Sequence, residues 1–357
     1  MIPACLSAAE RAKSTNIYPI ALGPHGSNFH DVVMALKRLS TLESGLNVER
    51  NNMQYGETRL VAFCCAYLGD MPQQQDNAGF KRPTAKLSCR NCFVEEKERD
   101  DLDYNIRKKG RYHYHTLSAR AFIEREPSSK QDDLLRSYGL SSRQSPLFTV
   151  APSLNLDTFF PSDPCHSEYA GISKLAHSLL VDAILSKKGQ EKYSWQLRQF
   201  QFPAGWGRLQ SPINHLKSYQ LQEYARASII LPLLLRCFLK ESWIAPAFWS
   251  MASKKYKSPI DEIVRVFAQI AKSNSVLVSR KLTKEDRENL LDIIQSARLG
   301  LQTLLEIAAA SDKKKGDEYR RMKIRPNMHI GIHYPQQAEE YASPNNSNCL
   351  PGEAKHK

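Results

Sequence analysis

Between about residue 147 and residue 325 the apolar residues recur every third and fourth position, and this commits half of the chain to packed helices. Ser167–Ser186 carries a stripe through Tyr169, Ile172, Leu175, Leu179 and Ile184. Ser218–Lys240 is a second strongly apolar helix, with a kink expected at Pro232. Ser258-Pro259 caps and opens a third, which runs through Ile260, Ile263, Val264, Phe267 and Ile270. Thr283 with Asp286 opens a long fourth helix, whose inward face holds Leu290, Leu291, Ile294, Leu301, Leu304 and Leu305. The longest apolar run, around Ile229–Leu239, is broken by Pro232 and Arg236. A membrane helix needs about 20 apolar residues, so none is expected. The N-terminus lacks a basic-then-apolar leader, and the eight cysteines are therefore read as reduced or metal-bound thiols.

The first part of the chain reads as α/β. Ser27 can cap a helix over Asp31–Leu39, with Val32, Val33, Leu36 and Leu39 as its buried stripe. Every residue from Leu60 to Leu68 is apolar, which predicts a strand buried on both faces. Asp70 follows it. A carboxylate at the end of a buried strand either caps a turn or binds a cation, and a magnesium site would need a second carboxylate converging on it. Residues 73–146 are polar and charged, and Ser128–Gln144 reads as a surface loop or flexible linker.

Fifty Lys and Arg against 37 Asp and Glu leave a formal charge of +13, which predicts a polyanionic partner such as nucleic acid. The basic balance peaks at Asp312–Arg325, with seven Lys and Arg against three acids. Cys89-Arg-Asn-Cys92 has the spacing of a metal knuckle. His113 and His115, which would share one face of a strand, are candidates to complete a two-Cys two-His zinc site, against a reading of two structural thiols and a surface His–Tyr strand. Asp163 and His166 precede a helix, where Asp163 is either a cap or, with His166, part of a charged site. His329 and His333 share a helical face, but without the Glu of a zinc protease after the first His they read as structural.

Several of these segments together resemble the transposase core of CACTA-type (En/Spm-like) DNA transposons, the fungal members above all. The resemblance is carried by Ile20-Ala-Leu-Gly-Pro-His-Gly-Ser-Asn28, Tyr67-Leu-Gly-Asp70-Met-Pro72, Cys89-x-x-Cys92, Glu223-Tyr-Ala-Arg-Ala-Ser-Ile-Ile230 and Arg325-Pro-Asn-Met-His-Ile-Gly-Ile-His-Tyr334. It runs from about residue 12 to the C-terminus. It implies an RNase H-like core with an Asp/Asp/Glu triad that binds Mg²⁺ or Mn²⁺, in a nuclear, DNA-binding protein capable of self-association. By resemblance Asp70 stands at the second acid and Glu353 at the third, while Asp163 and His166 match the family's Asp-x-x-His. The implied layout is a core over 1–72, a charged CxxC/His segment over 73–146, the Asp-x-x-His segment over 147–190, a helical insertion over 191–325 and a core remnant over 326–357.

The resemblance also has a departure. No Asp precedes Asp31, which falls in the first predicted helix, and the chain stops four residues after Glu353. The expected fold is thus an incomplete RNase H-like α/β core, trimmed at both ends, with a zinc-knuckle-like segment and a large α-helical insertion. Two-metal phosphoryl transfer needs all three acids, so the expectation is a transposase relic without catalysis. The alternative is a domesticated zinc-containing nucleic-acid-binding or scaffold protein.

Overall fold

The computed structural model describes residues 2, 4–11, 13–18, 28–48 and 58–349. The chain groups into two compact units. The first comprises Met1–Glu95, Asn105–Ser162 and Ser347–Lys357, the second Glu96–Tyr104 and Asp163–Asn346.

In the first unit, helix α1 (Phe29–Ala35) begins at Asn28, whose side chain accepts the His30 N–H at 3.0 Å. Ser27, the expected cap, lies outside the described residues. Strand β1 (Leu46–Val48) pairs antiparallel with β2 (Thr58–Leu60), with Leu46 opposite Leu60, and this ribbon is the whole sheet among the described residues. The predicted strand over Leu60–Leu68 is not formed beyond Leu60. Residues 61–65 are exposed, and the stretch is fastened where the Ala62 N–H donates to the Leu42 carbonyl at 2.9 Å and the Tyr67 N–H to the Phe159 carbonyl at 2.8 Å. A strand buried on both faces needs strands beside it and layers above and below it; no such ladder exists among the described residues. The protein is accordingly mainly helical, with a small ribbon in place of the broad α/β sheet expected.

Helix α2 (Met71–Ala78) follows at once, then α3 (His113–Arg125) and α4 (Ser128–Tyr138). His113 and His115 open α3 rather than lying on a strand, and Ser128–Gln144 is mostly helix rather than loop. In α4, Leu134, Leu135 and Tyr138 give one inward face to a polar segment, which suffices against a core of Phe80, Ile123, Leu140, Phe159 and Phe160. Gly139 ends α4 in the left-handed region (φ 66°), where a Cβ would lie 2.3 Å from the Leu87 carbonyl oxygen.

The second unit is a helical assembly. One continuous helix runs through a π-helical Cys165–Ser173, α5 (Lys174–Leu179) and a π-helical Leu180–Ile184. Its predicted stripe of Tyr169, Ile172, Leu175, Leu179 and Ile184 is buried. The final step of five residues fits the wider π ring, since i→i+5 bonding brings positions five apart onto one side. Helices α6 (Lys187–Gln199), α7 (Leu221–Phe238), α8 (Pro246–Lys255) and α9 (Pro259–Leu277) follow, and α7 continues through Pro232. Pro259 takes the first turn of α9 as expected, although the Ser258 hydroxyl bonds the Asp261 carboxylate rather than the helix backbone. The Thr283–Asp286 capping box is present and opens the short α10 (Lys284–Glu288), ahead of α11 (Leu290–Ser311). Helices α9 and α11 pack closely, because Gly300 lets Val266 come within 2.7 Å of where a Cβ would stand. The unit closes with α12 (Gly316–Lys323), α13 (Pro326–Ile330) and α14 (Tyr334–Tyr341). No helix among the described residues is long and apolar enough to cross a membrane.

Candidate metal centre

Cys89 and Cys92 are both buried, Cys92 completely. The turn that carries them is fastened at several backbone points. Cys92 bridges to Gly110, the Phe93 N–H donates to the Lys109 carbonyl at 3.0 Å, and the Arg111 N–H donates to the Asn91 carbonyl at 2.9 Å. The buried Arg90 anchors the same turn, donating from Nε to the Phe160 carbonyl at 2.7 Å and from Nη2 to the Ser162 hydroxyl at 2.9 Å. Burial, and then the hydrogen bond with Cys89, push the Cys92 thiol well above its ordinary pKa. The Cys92 thiol therefore keeps its proton until something displaces it, and a divalent soft metal does so.

His329 lies in α13, and His333 ends the 3₁₀ turn Gly331–His333 that joins α13 to α14. Both rings are buried, and their Nε2 atoms are 3.2 Å apart. Tyr104 meets the His329 ring edge-on at 5.7 Å. The spacing of four works here although the helix tightens to 3₁₀, because both rings still leave from one side. Pro326 in the first turn supplies the fixed φ that starts this segment.

One ligand atom from each of Cys89, Cys92, His329 and His333 lies within 4.8 Å of every other. Among the described residues this is the one group of three or more Cys, His, Asp or Glu side chains that could converge on an ion. The donor set fits zinc. Two ligand nitrogens on a tetrahedral zinc are separated by about 3.3 Å at ordinary bond lengths. The observed Nε2–Nε2 distance matches that edge. The same distance would serve a hydrogen bond between the rings; with two thiols within 4.8 Å, the four could hold an ion.

The histidines expected to complete the knuckle are placed elsewhere. His113 is half-buried at the start of α3, where its Nδ1 accepts the Leu156 N–H at 3.1 Å, and His115 is exposed beside Tyr112. Two residues apart on a helix they point to nearly opposite sides, so the shared face available to a strand is lost. The His329–His333 spacing is legible in the sequence, but nothing there links so distant a pair to Cys89-x-x-Cys92.

Each expected acid that lies among the described residues caps a helix. Asp70 caps α2, accepting the Gln73 N–H at 2.8 Å. Asp163 caps the next long helix, accepting the Cys165 N–H at 3.0 Å and the His166 N–H at 3.2 Å, and its carboxylate also bonds the His166 ring. Glu353 lies outside the described residues. Asp70 thus enters no metal-holding group among the described residues, and the Mg²⁺ or Mn²⁺ expectation has no ligand set there to test it against.

The second unit also holds an open groove of about 550 Å³, lined by Lys97, Asp100, Glu306, Arg320, Arg321 and Lys323. Lys323 is held by Glu306 at 2.8 Å and Asp100 at 3.4 Å, and Arg320 by Asp317. The predicted basic connector is thus mostly the helix α12, with part of its charge already paired.

No protein-family model matches this chain, and the curated proteins compared with it contain no match either.

Proposed function

We propose that this chain is a DNA-binding protein of transposase descent, built around a structural zinc ion held by Cys89, Cys92, His329 and His333. The convergence of these four buried ligands carries the reading. A closed set of four protein ligands leaves no open position for water or substrate, so zinc there stabilises the fold rather than performing chemistry. The +13 charge and the groove beside α12 support a polyanionic partner. The order of sequence segments supports CACTA-like descent, with Asp70 and Glu353 as acids of an RNase H-like core, Asp163 and His166 as its Asp-x-x-His, and the nucleus as the place of action.

Metal analysis of the purified full chain is the test. The expected result is about one zinc per chain, lost on His333→Ala and kept in the His113→Ala/His115→Ala double variant. Zinc absent from the wild type, or lost from the double variant alone, would sink the reading.

The partial pairing of Arg320 and Lys323 favours a second reading, a zinc-stabilised scaffold whose basic surface is merely solvated. Salt dependence separates the two. Contacts with several phosphates make log K fall steeply with log salt, whereas a scaffold shows no DNA binding even at low salt.

A further inference from the structure

We infer that Arg111 is a positioning residue for the two thiol ligands, holding the Cys89-x-x-Cys92 turn in its ligating shape; this rests on the zinc reading above. Arg111 is 4% exposed although its neighbour Tyr112 is open to solvent. Its Nε donates to two carbonyls at once, that of Cys89 at 2.8 Å and that of Cys92 at 3.1 Å. Those are the two ligand residues themselves, so a single N–H spans the turn and fixes the distance between its ends. A further guanidinium nitrogen donates to the Tyr138 carbonyl at the end of α4. The central carbon of the group lies over the Phe93 ring, 4.1 Å from its centroid, and 5.4 Å from that of Phe80. The Arg111 backbone N–H, already bonded to Asn91 inside the turn, closes the arrangement.

Each feature needs arginine specifically. A planar fork can stack on an aromatic face while its edge donates in two directions, and a lysine ammonium cannot do both. The side chain donates to the ligand backbones, so its effect on a metal is exerted through geometry: the sulfurs are held where an ion needs them before it arrives. Partners of this kind are worth about 10–100-fold in metal affinity. A positive charge beside two thiolates adds to the same effect.

The experiment compares zinc affinity, by competition with a chromophoric chelator, across the full-length wild type, Arg111→Lys and Arg120→Lys. Arg120 is the control. It is a buried arginine of the same unit that also donates to backbone carbonyls, those of Gly79 and Ser141, but none in the turn. The expected result is about 10–100-fold weaker zinc binding for Arg111→Lys. Arg120→Lys should keep wild-type affinity even where its urea midpoint falls as far. The cobalt-substituted protein gives a second readout: the thiolate-to-cobalt absorption should shift or broaden in Arg111→Lys alone. Wild-type affinity in Arg111→Lys, or equal weakening in both variants, overturns the positioning role while leaving the zinc reading intact. A wild type that binds no zinc overturns both.

Discussion

Arg298 and Glu168 form an ion pair at 2.6 Å in which neither side chain touches solvent. Glu168 projects from the π-helical segment and Arg298 from α11. The same guanidinium donates to the Met328 carbonyl at 3.1 Å and the Asn327 carbonyl at 3.4 Å, the residues just before His329. The pair therefore fixes the start of the segment that presents both imidazoles. Removing one partner leaves the other charged and buried, which costs about 3–5 kcal/mol. Glu168→Gln and Arg298→Met should each destabilise the protein by that order in urea unfolding. The double variant should lose less than the sum of the two, and strict additivity would argue against coupling.

His177 sets a pH window. Burial pushes its pKa down to about 3, and its Nε2 is 2.8 Å from the Tyr193 hydroxyl. Because the folded value lies below the unfolded one near 6.5, the unfolded chain binds the extra proton between them. Its contribution is complete above pH 6.5 and is lost as pH falls toward 3, at up to about 1.4 kcal/mol per pH unit. His177→Gln cannot titrate, so its urea midpoint should vary less steeply with pH over this range. An unchanged slope would mean that other groups set the acid sensitivity.

Asp70 can be tested for two roles at once. Loss of the α2 cap in Asp70→Ala should cost about 1 kcal/mol, and Asp70→Asn should restore most of it, since an amide oxygen also accepts from the backbone. A metal ligand behaves differently, because the amide carries no charge for Mg²⁺. If the chain shows Mg²⁺-dependent strand transfer on transposon-end DNA, Asp70→Asn must abolish it at near-wild-type stability. Retained transfer in that variant would remove Asp70 from the acidic set.

The groove beside α12 gives a prediction about DNA. Arg321 and Lys97 extend the cationic lining beyond the Lys323 network. The Lys97→Glu/Arg321→Glu variant should weaken DNA binding for all sequences alike. It should also reduce the slope of log K against log salt by about one to two. A weakened affinity with an unchanged slope would place the phosphate contacts elsewhere.

What could be foreseen follows the range of the interaction involved. The proline start at Pro259 and the buried stripe through Tyr169, Ile172, Leu175, Leu179 and Ile184 depend on neighbours within one or two turns, and they are found where their spacing puts them; the capping box at Thr283 is found too, but it opens a separate short helix ahead of the long one. The run Leu60–Leu68 misled because apolarity marks what a segment can bury, whereas a strand is made by partners the segment does not encode. Helix α4 was hidden by its polar content, although three inward residues were enough. The ligand set was half visible. Cys89-x-x-Cys92 announces itself, and His113 and His115 are its nearest histidines in sequence, whereas the group that could hold an ion includes His329 and His333, more than 200 residues on.

The Arg298 guanidinium occupies the space over Gly331, where a Cβ would stand 2.5 Å from its central carbon. Position 331 therefore has no side chain because position 298 has a long one. A side chain at 331 would have to displace the guanidinium, and displacing it strands Glu168. The route through single changes passes over an unpaired buried charge, so drift should leave Glu168, Arg298 and Gly331 together while the exposed positions around them turn over.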